Sequence, residues 1–141
     1  MKFLDCDYDE ETKCSTTFVQ HLGCVFYGDA IAAPDEVNLS QLFGGRLSEA
    51  RAVLHALQHE RDVRENEYRT ISNMVKACCN TKRFDKESPS AKTIFHQLNI
   101  SKKRYEDSKE KVKTIKKAIK EMMDDRDRFF EKRSKKDKDK E

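Results

Sequence analysis

Four side chains near the start of the chain could do metal chemistry: Cys6, Cys14, His21 and Cys24. Structural zinc takes four thiolate or imidazole ligands in a tetrahedron, usually delivered as tight pairs such as Cys-x2-Cys. Only His21 and Cys24 have that spacing. The set is therefore a metal candidate beside a simpler reading, in which Cys24 is a small core residue and His21 a surface one. Asp5, Asp7, Asp9, Glu10 and Glu11 resemble the start of a calcium loop. The sixth position of that loop would be Glu10 where glycine is needed, and the twelfth Thr16 where glutamate is needed. The expectation is a solvated acidic N-terminus. His55 and His59 are one helical turn apart, but Ala56 stands where a zinc protease carries glutamate. Cys78 and Cys79 are adjacent, and Cys78 falls on a core position, where a thiol is inert. No spacing joins a nucleophile to a base and an orienting acid. We expect no enzyme and no cofactor.

The elements that position these residues follow from periodicity. Between Leu47 and Cys78 a seven-residue repeat places Leu47, Leu54, Tyr68 and Val75 on one seam with Ala50, Leu57, Ile71 and Cys78; Arg61 and Arg64 interrupt it. After Ser88-Pro89 a second repeat runs through Ala91, Leu98, Tyr105, Val112 and Ile119, with Ile94, Ser101, Ser108, Ile115, Met122 and Phe129. Both stretches are rich in helix formers and lack internal Gly or Pro. Ser88 followed by Pro89 reads as a cap and a first helical position. We predict helices over about 47–82 and 89–133. The short link makes them antiparallel neighbours. A link centred near residue 85 pairs Val75 with Ile94, Tyr68 with Ser101, Arg64 with Tyr105 and Leu47 with Met122. On the flanks, Glu67 meets Arg104, Glu60 meets Lys111 and Glu65 meets Lys102. Arg64 is expected to lie on the Tyr105 ring.

Residues 1–46 carry 3 basic and 8 acidic side chains, whereas residues 89–141 carry 18 basic and 11 acidic. Thr16–Val19 and Cys24–Tyr27 are β-prone and bracket Gly23, which suggests a hairpin. A helix capped by Ser15 and ended at Gly23 is the competing reading. We expect the acidic segment 1–46 to pack on the open end of the helical pair, with Phe18, Phe26 and Phe43 against Met122–Phe130. Residues 134–141 are low in complexity and expected to be disordered. The fold class is thus mainly α: an antiparallel two-helix coiled-coil hairpin with a small N-terminal mixed or irregular segment.

Charged residues make up 39% of the chain, and no stretch approaches the ~18 apolar residues of a membrane span. Five cysteines, an odd number, with no apolar leader, point to reduced thiols in the cytoplasm or nucleus. The functional expectation is a non-enzymatic protein-interaction module, a coiled-coil subunit or adaptor of a larger assembly, binding another chain or itself. Its interface is expected where apolar residues leave the seam: Val53, Met74, Phe95, Met123 and Phe130. The alternative is a nucleic-acid-associated protein using the basic run Lys102–Lys120, which has 9 basic and 3 acidic residues. Neither reading involves a membrane.

Overall fold

The structure is a computed structural model that describes residues 1–31 and 39–139, with side chains at 42–128, 131–132 and 135–136. Three strands, β1 (Lys2–Asp9), β2 (Cys14–His21) and β3 (Cys24–Ile31), precede two helices, α1 (Leu39–Cys79) and α2 (Pro89–Asp139). The sheet is an antiparallel meander in the order β1-β2-β3. The fold is mainly α, a helical hairpin with a small N-terminal sheet, as the periodicity predicts.

The β reading of residues 16–27 wins over the helical one because Thr16, Thr17, Val19, Val25 and Tyr27 suit a pleated surface. Leu22 and Gly23 form the two-residue turn, with φ of 50° and 76°, the positive pair of a type I′ hairpin. Leu22 occupies a position that asparagine or glycine tolerates better, and its side chain is exposed. Leu22→Asn is expected to stabilise the protein by about 0.5–1 kcal/mol in urea denaturation. A loss of stability would mean that the Leu22 side chain makes a compensating contact.

β1 is a correction. Residues 2–9 were expected to be a solvated acidic stretch, yet they form a strand. Asp5, Asp7 and Asp9 alternate with Cys6 and Tyr8, a period of two that suits a strand as well as it suits a calcium loop. β1 pairs with β2 through Asp5↔Phe18, Asp7↔Thr16 and Asp9↔Cys14, with a register shift between Phe3 and Asp5.

The chain forms two compact units, Met1–Ala56 with Lys113–Glu141, and Leu57–Val112. In the first, the sheet packs on α1 through small residues. Ser15, Thr17, Val19, Gly28 and Ala30 face the helix and are buried, as are Ser48, Ala52 and Ala56. Thr17 Oγ1 and Ser48 Oγ are 2.7 Å apart, and Ser48 Oγ donates to Gly45 O. A Cβ on Gly28 would fall on Ala52 N and Ser48 O, both backbone atoms. A Cβ on Gly44 would meet Ser15 Oγ at 3.1 Å. This contact explains why α1 begins at Leu39 instead of residue 47. Gly44 and Gly45 each disfavour a helix by about 1 kcal/mol, but close packing against the sheet outweighs that cost.

The sheet therefore covers a face of α1 that the seven-residue repeat assigns to solvent. Phe26 packs on Val19, Ala52 and Ala56, and the Phe18 and Tyr27 rings are 6.2 Å apart. Phe43, on α1, lies beneath Arg126 of α2 at 5.7 Å. The Phe18 and Phe26 partners found here are thus within the sheet and on α1, in place of the expected Met122–Phe130 region.

The second unit is the helical pair alone. Arg104 Nη1 is 3.3 Å from Glu67 Oε1, and Lys111 Nζ is 3.4 Å from Glu60 Oε1, which is the predicted register. Val75, Ala91, Ser101, Ser108 and Val112 are buried at predicted seam positions. Two side-chain expectations change. Arg64 bonds Glu67 at 3.1 Å, and the Tyr105 ring stacks on Tyr68 at 6.2 Å with Lys109 Nζ 4.5 Å from its centroid. Glu65 pairs with Arg69 one turn along the same helix, at lower ordering cost than a bridge between helices.

The link behaves as the capping rules require. Ser88 Oγ accepts from Ala91 N–H at 3.2 Å, and α2 starts at Pro89. α1 ends at Cys79, three residues before the predicted boundary. α2 continues to Asp139, so residues 134–139 are helical where disorder was expected. Lysine is a good helix former, and positive charge near a helix C-terminus interacts favourably with its dipole.

Candidate binding surface

The four metal candidates are not brought together. Cys14 and His21 are the two ends of β2, which puts them roughly 23 Å apart at ~3.3 Å per residue. His21 pairs with Cys24 across the turn. Cys6 lies mid-strand on β1, where Thr17 Oγ1 donates to its Sγ at 3.4 Å. Among the described residues no three His, Cys, Asp or Glu side chains cluster as metal ligands. Asp5, Asp7 and Asp9 lie along one face of a strand, about 6.6 Å apart, and so cannot converge as a loop would.

The five predicted interface residues meet different fates. Phe95 packs edge-on against Phe84, with ring centroids 6.4 Å apart, so its apolar surface is satisfied within the hairpin. Val53 is half-buried. Met74 and Met123 are exposed, at 58% and 38%. The Phe130 side chain lies outside the described residues.

The greater apolar exposure is on the sheet, which the periodicity of the helices could not reveal. Phe3, Leu4, Val25, Tyr27 and Ile31 are all exposed, Ile31 most at 69%. The face turned away from α1 is ordered in rows. Asp5, Phe18 and Tyr27 form one, Asp7, Thr16 and Asp29 the next, and Asp9, Cys14 and Ile31 the third. Acidic side chains thus occupy β1, and apolar ones occupy much of β2 and β3. Thr16 Oγ1 donates to Asp29 Oδ1 at 2.8 Å and ties the middle row together.

The two edges differ. The two-residue turn makes His21 and Cys24 a hydrogen-bonded pair, so Tyr27 and Asp29 turn their backbone groups outward from β3. Both carbonyls are closed by α1: Arg51 Nη1 donates to Asp29 O at 2.7 Å, and His55 Nδ1 lies 2.7 Å from Tyr27 O. Arg51 and His55 are one turn apart, matching the two-residue repeat of the strand. They also line a cleft of about 520 Å³ with Val25, Phe26, Tyr27 and Asp29. On β1 the same alternation turns Cys6 and Tyr8 outward. Cys6 N–H is held at 2.8 Å by the carboxylate of its neighbour Asp5. All residues of β1 except Tyr8 are exposed. A second cleft of about 630 Å³ lies beside it, lined by Cys6, Tyr8, Ser15, Leu42, Gly45, Arg46 and Glu49.

No protein-family model, curated protein or solved structure matches this chain. Its class is therefore defined by its own fold: a helical hairpin with a three-stranded antiparallel sheet seated on the first helix. Among the described residues no helix is long and apolar enough to cross a membrane.

Proposed function

We propose that this protein is a non-enzymatic interaction module, a subunit or adaptor of a larger intracellular assembly, and that its binding surface is the three-stranded sheet. The observation that carries this reading is the exposure of Val25, Tyr27 and Ile31, at 57–69%, on one face of a sheet whose other face is closed by α1. Large apolar side chains grouped on an ordered sheet are the usual core of a protein contact. The exposed Met74 and Met123 extend the apolar surface along the helices.

The alternative, a nucleic-acid-associated protein, draws support from exposed lysines on α2 such as Lys102, Lys103, Lys116, Lys117 and Lys120. It is the weaker reading because the aromatic ring within that run, Tyr105, is stacked on Tyr68 and is not offered to a base.

The test is co-purification from cells with the full chain and with a Val25→Asp/Ile31→Asp variant. Helix content by circular dichroism serves as the folding control. A set of proteins lost with the variant, and held with little dependence on salt, supports the reading. Retention of the same set by the variant overturns it. So does recovery mainly of nucleic acid that dissociates steeply with salt.

A further inference from the structure

We infer that the outer edge of β1 is a docking site for an extended basic segment of a partner protein, which adds to the sheet as a fourth strand. The inference rests on the interaction-module reading and names the chemistry of one partner.

An unpaired strand edge offers a row of backbone donors and acceptors to any passing strand, and folded proteins usually close it. The β3 edge is closed by Arg51 and His55. No comparable side chain from another element caps the outward groups of β1 among the described residues. What β1 has instead is charge. Its eight residues carry Lys2 against Asp5, Asp7 and Asp9, and Glu10 and Glu11 follow in the turn. That charge selects among partners in two ways.

First, it excludes a second copy of β1. Antiparallel pairing of two such strands would set carboxylates near carboxylates, and like charges across strands are destabilising. Second, it favours lysine and arginine at alternate positions. Asp5, Asp7 and Asp9 direct their backbone groups toward β2. Toward an added strand they therefore form non-hydrogen-bonded pairs, in which opposed side chains come closest. Residues i, i+2 and i+4 of the incoming strand would stand opposite the three carboxylates. The Asp5 carboxylate that now holds Cys6 N–H would turn to the incoming cation and release that donor to the new ladder. Cys6 and Tyr8 would then each give and accept one backbone hydrogen bond. The intervening partner residues face the side of the sheet that carries the cleft of about 630 Å³, with Leu42, Cys6 and Tyr8 in its wall. Small or apolar side chains fit there. The recognised pattern is basic-apolar-basic-apolar-basic in extended form.

The probe is a fluorescein-labelled Lys-Val-Lys-Val-Lys-Val peptide titrated with the full-length protein and followed by anisotropy, with backbone amide NMR to locate the site. We expect saturable binding, with the largest shifts at Cys6 and Tyr8. Asp5→Asn/Asp7→Asn/Asp9→Asn is expected to weaken binding by about tenfold or more, as the summed loss of three cross-strand charge pairs. The same peptide with N-methyl groups on alternate backbone nitrogens, on the side that meets β1, keeps its charge but cannot complete the ladder. It is expected to bind no better than the aspartate variant does.

Binding that survives N-methylation, or shifts spread over the acidic residues without Cys6 and Tyr8, would show charge attraction without strand addition and overturn the inference. Equal binding by a Glu-Val-Glu-Val-Glu-Val peptide would also overturn it. If the triple variant loses its sheet, the single changes Asp7→Asn and Asp9→Asn replace it, each with a smaller expected loss. Failure of the peptide to bind, with co-purified proteins still lost in the Val25→Asp/Ile31→Asp variant, rejects this inference and leaves the interaction module standing. Failure of both rejects the module.

Discussion

Gly28→Ala is expected to loosen the sheet from α1 and to lower stability by about 3 kcal/mol, the upper end of the usual cost of overpacking. The added methyl would overlap Ala52 N and Ser48 O and lie 2.8 Å from Arg51 C. All three are helix backbone, so no rotamer change makes room. The strand and helix must separate, and separation uncovers Val19, Ala52 and Ala56, all fully buried. The chain has no tryptophan, so urea denaturation is best followed by circular dichroism for the helices and amide NMR for the strands. The strand resonances should shift or broaden in the variant before the helical signal is lost. Ala52→Gly should not rescue the change, because the obstacle is the helix backbone and not the Ala52 side chain. A variant within about 0.5 kcal/mol of the parent would mean that the sheet and helix are not in close contact at Gly28.

The second large effect is expected in the helical pair. Ser101→Leu and Ser108→Leu should each destabilise by about 2 kcal/mol, whereas Ser101→Ala and Ser108→Ala should stay within about 0.5 kcal/mol of the parent. A seven-residue repeat ordinarily improves when a polar seam residue becomes leucine. Here both serines are almost fully buried, at 1% and 2%. Their hydroxyls donate to the carbonyls three residues earlier, Leu98 O and Tyr105 O. The hydroxyls are satisfied without a partner on α1, so alanine leaves no orphaned group across the pair. Leucine has no space beside them. Chemical denaturation of the four variants decides the matter. Leucine variants as stable as the parent would show that the helices can move apart there at little cost.

Register within the helical pair was legible because it is set by local and periodic physics. Ser88 and Pro89 carry a helix start in their own chemistry, and the link length together with the charge pattern puts Glu67 beside Arg104 and Glu60 beside Lys111. Which way Arg64 and Glu65 turn was not legible, because Glu67 and Arg69 lie within reach on their own helix and cost less to engage.

The sheet was only half legible. The β-branched run at 16–19 and Gly23 mark a hairpin, but in β1 the aspartates that alternate with Cys6 and Tyr8 read equally as a metal loop until a partner strand supplies the hydrogen bonds. The seat of the sheet was not legible at all. Ser48, Ala52 and Ala56 carry too little apolar surface to stand out from a solvated face. Their smallness becomes informative only when Gly28 is brought against them. The same long-range contact keeps Gly44 and Gly45 helical against their own propensity, and it brings Arg51 and His55 to the carbonyls of β3. Sequence periodicity reports which residues of one element share a face. It cannot report which other element that face will meet, and that meeting closes the β3 edge and leaves the β1 edge open.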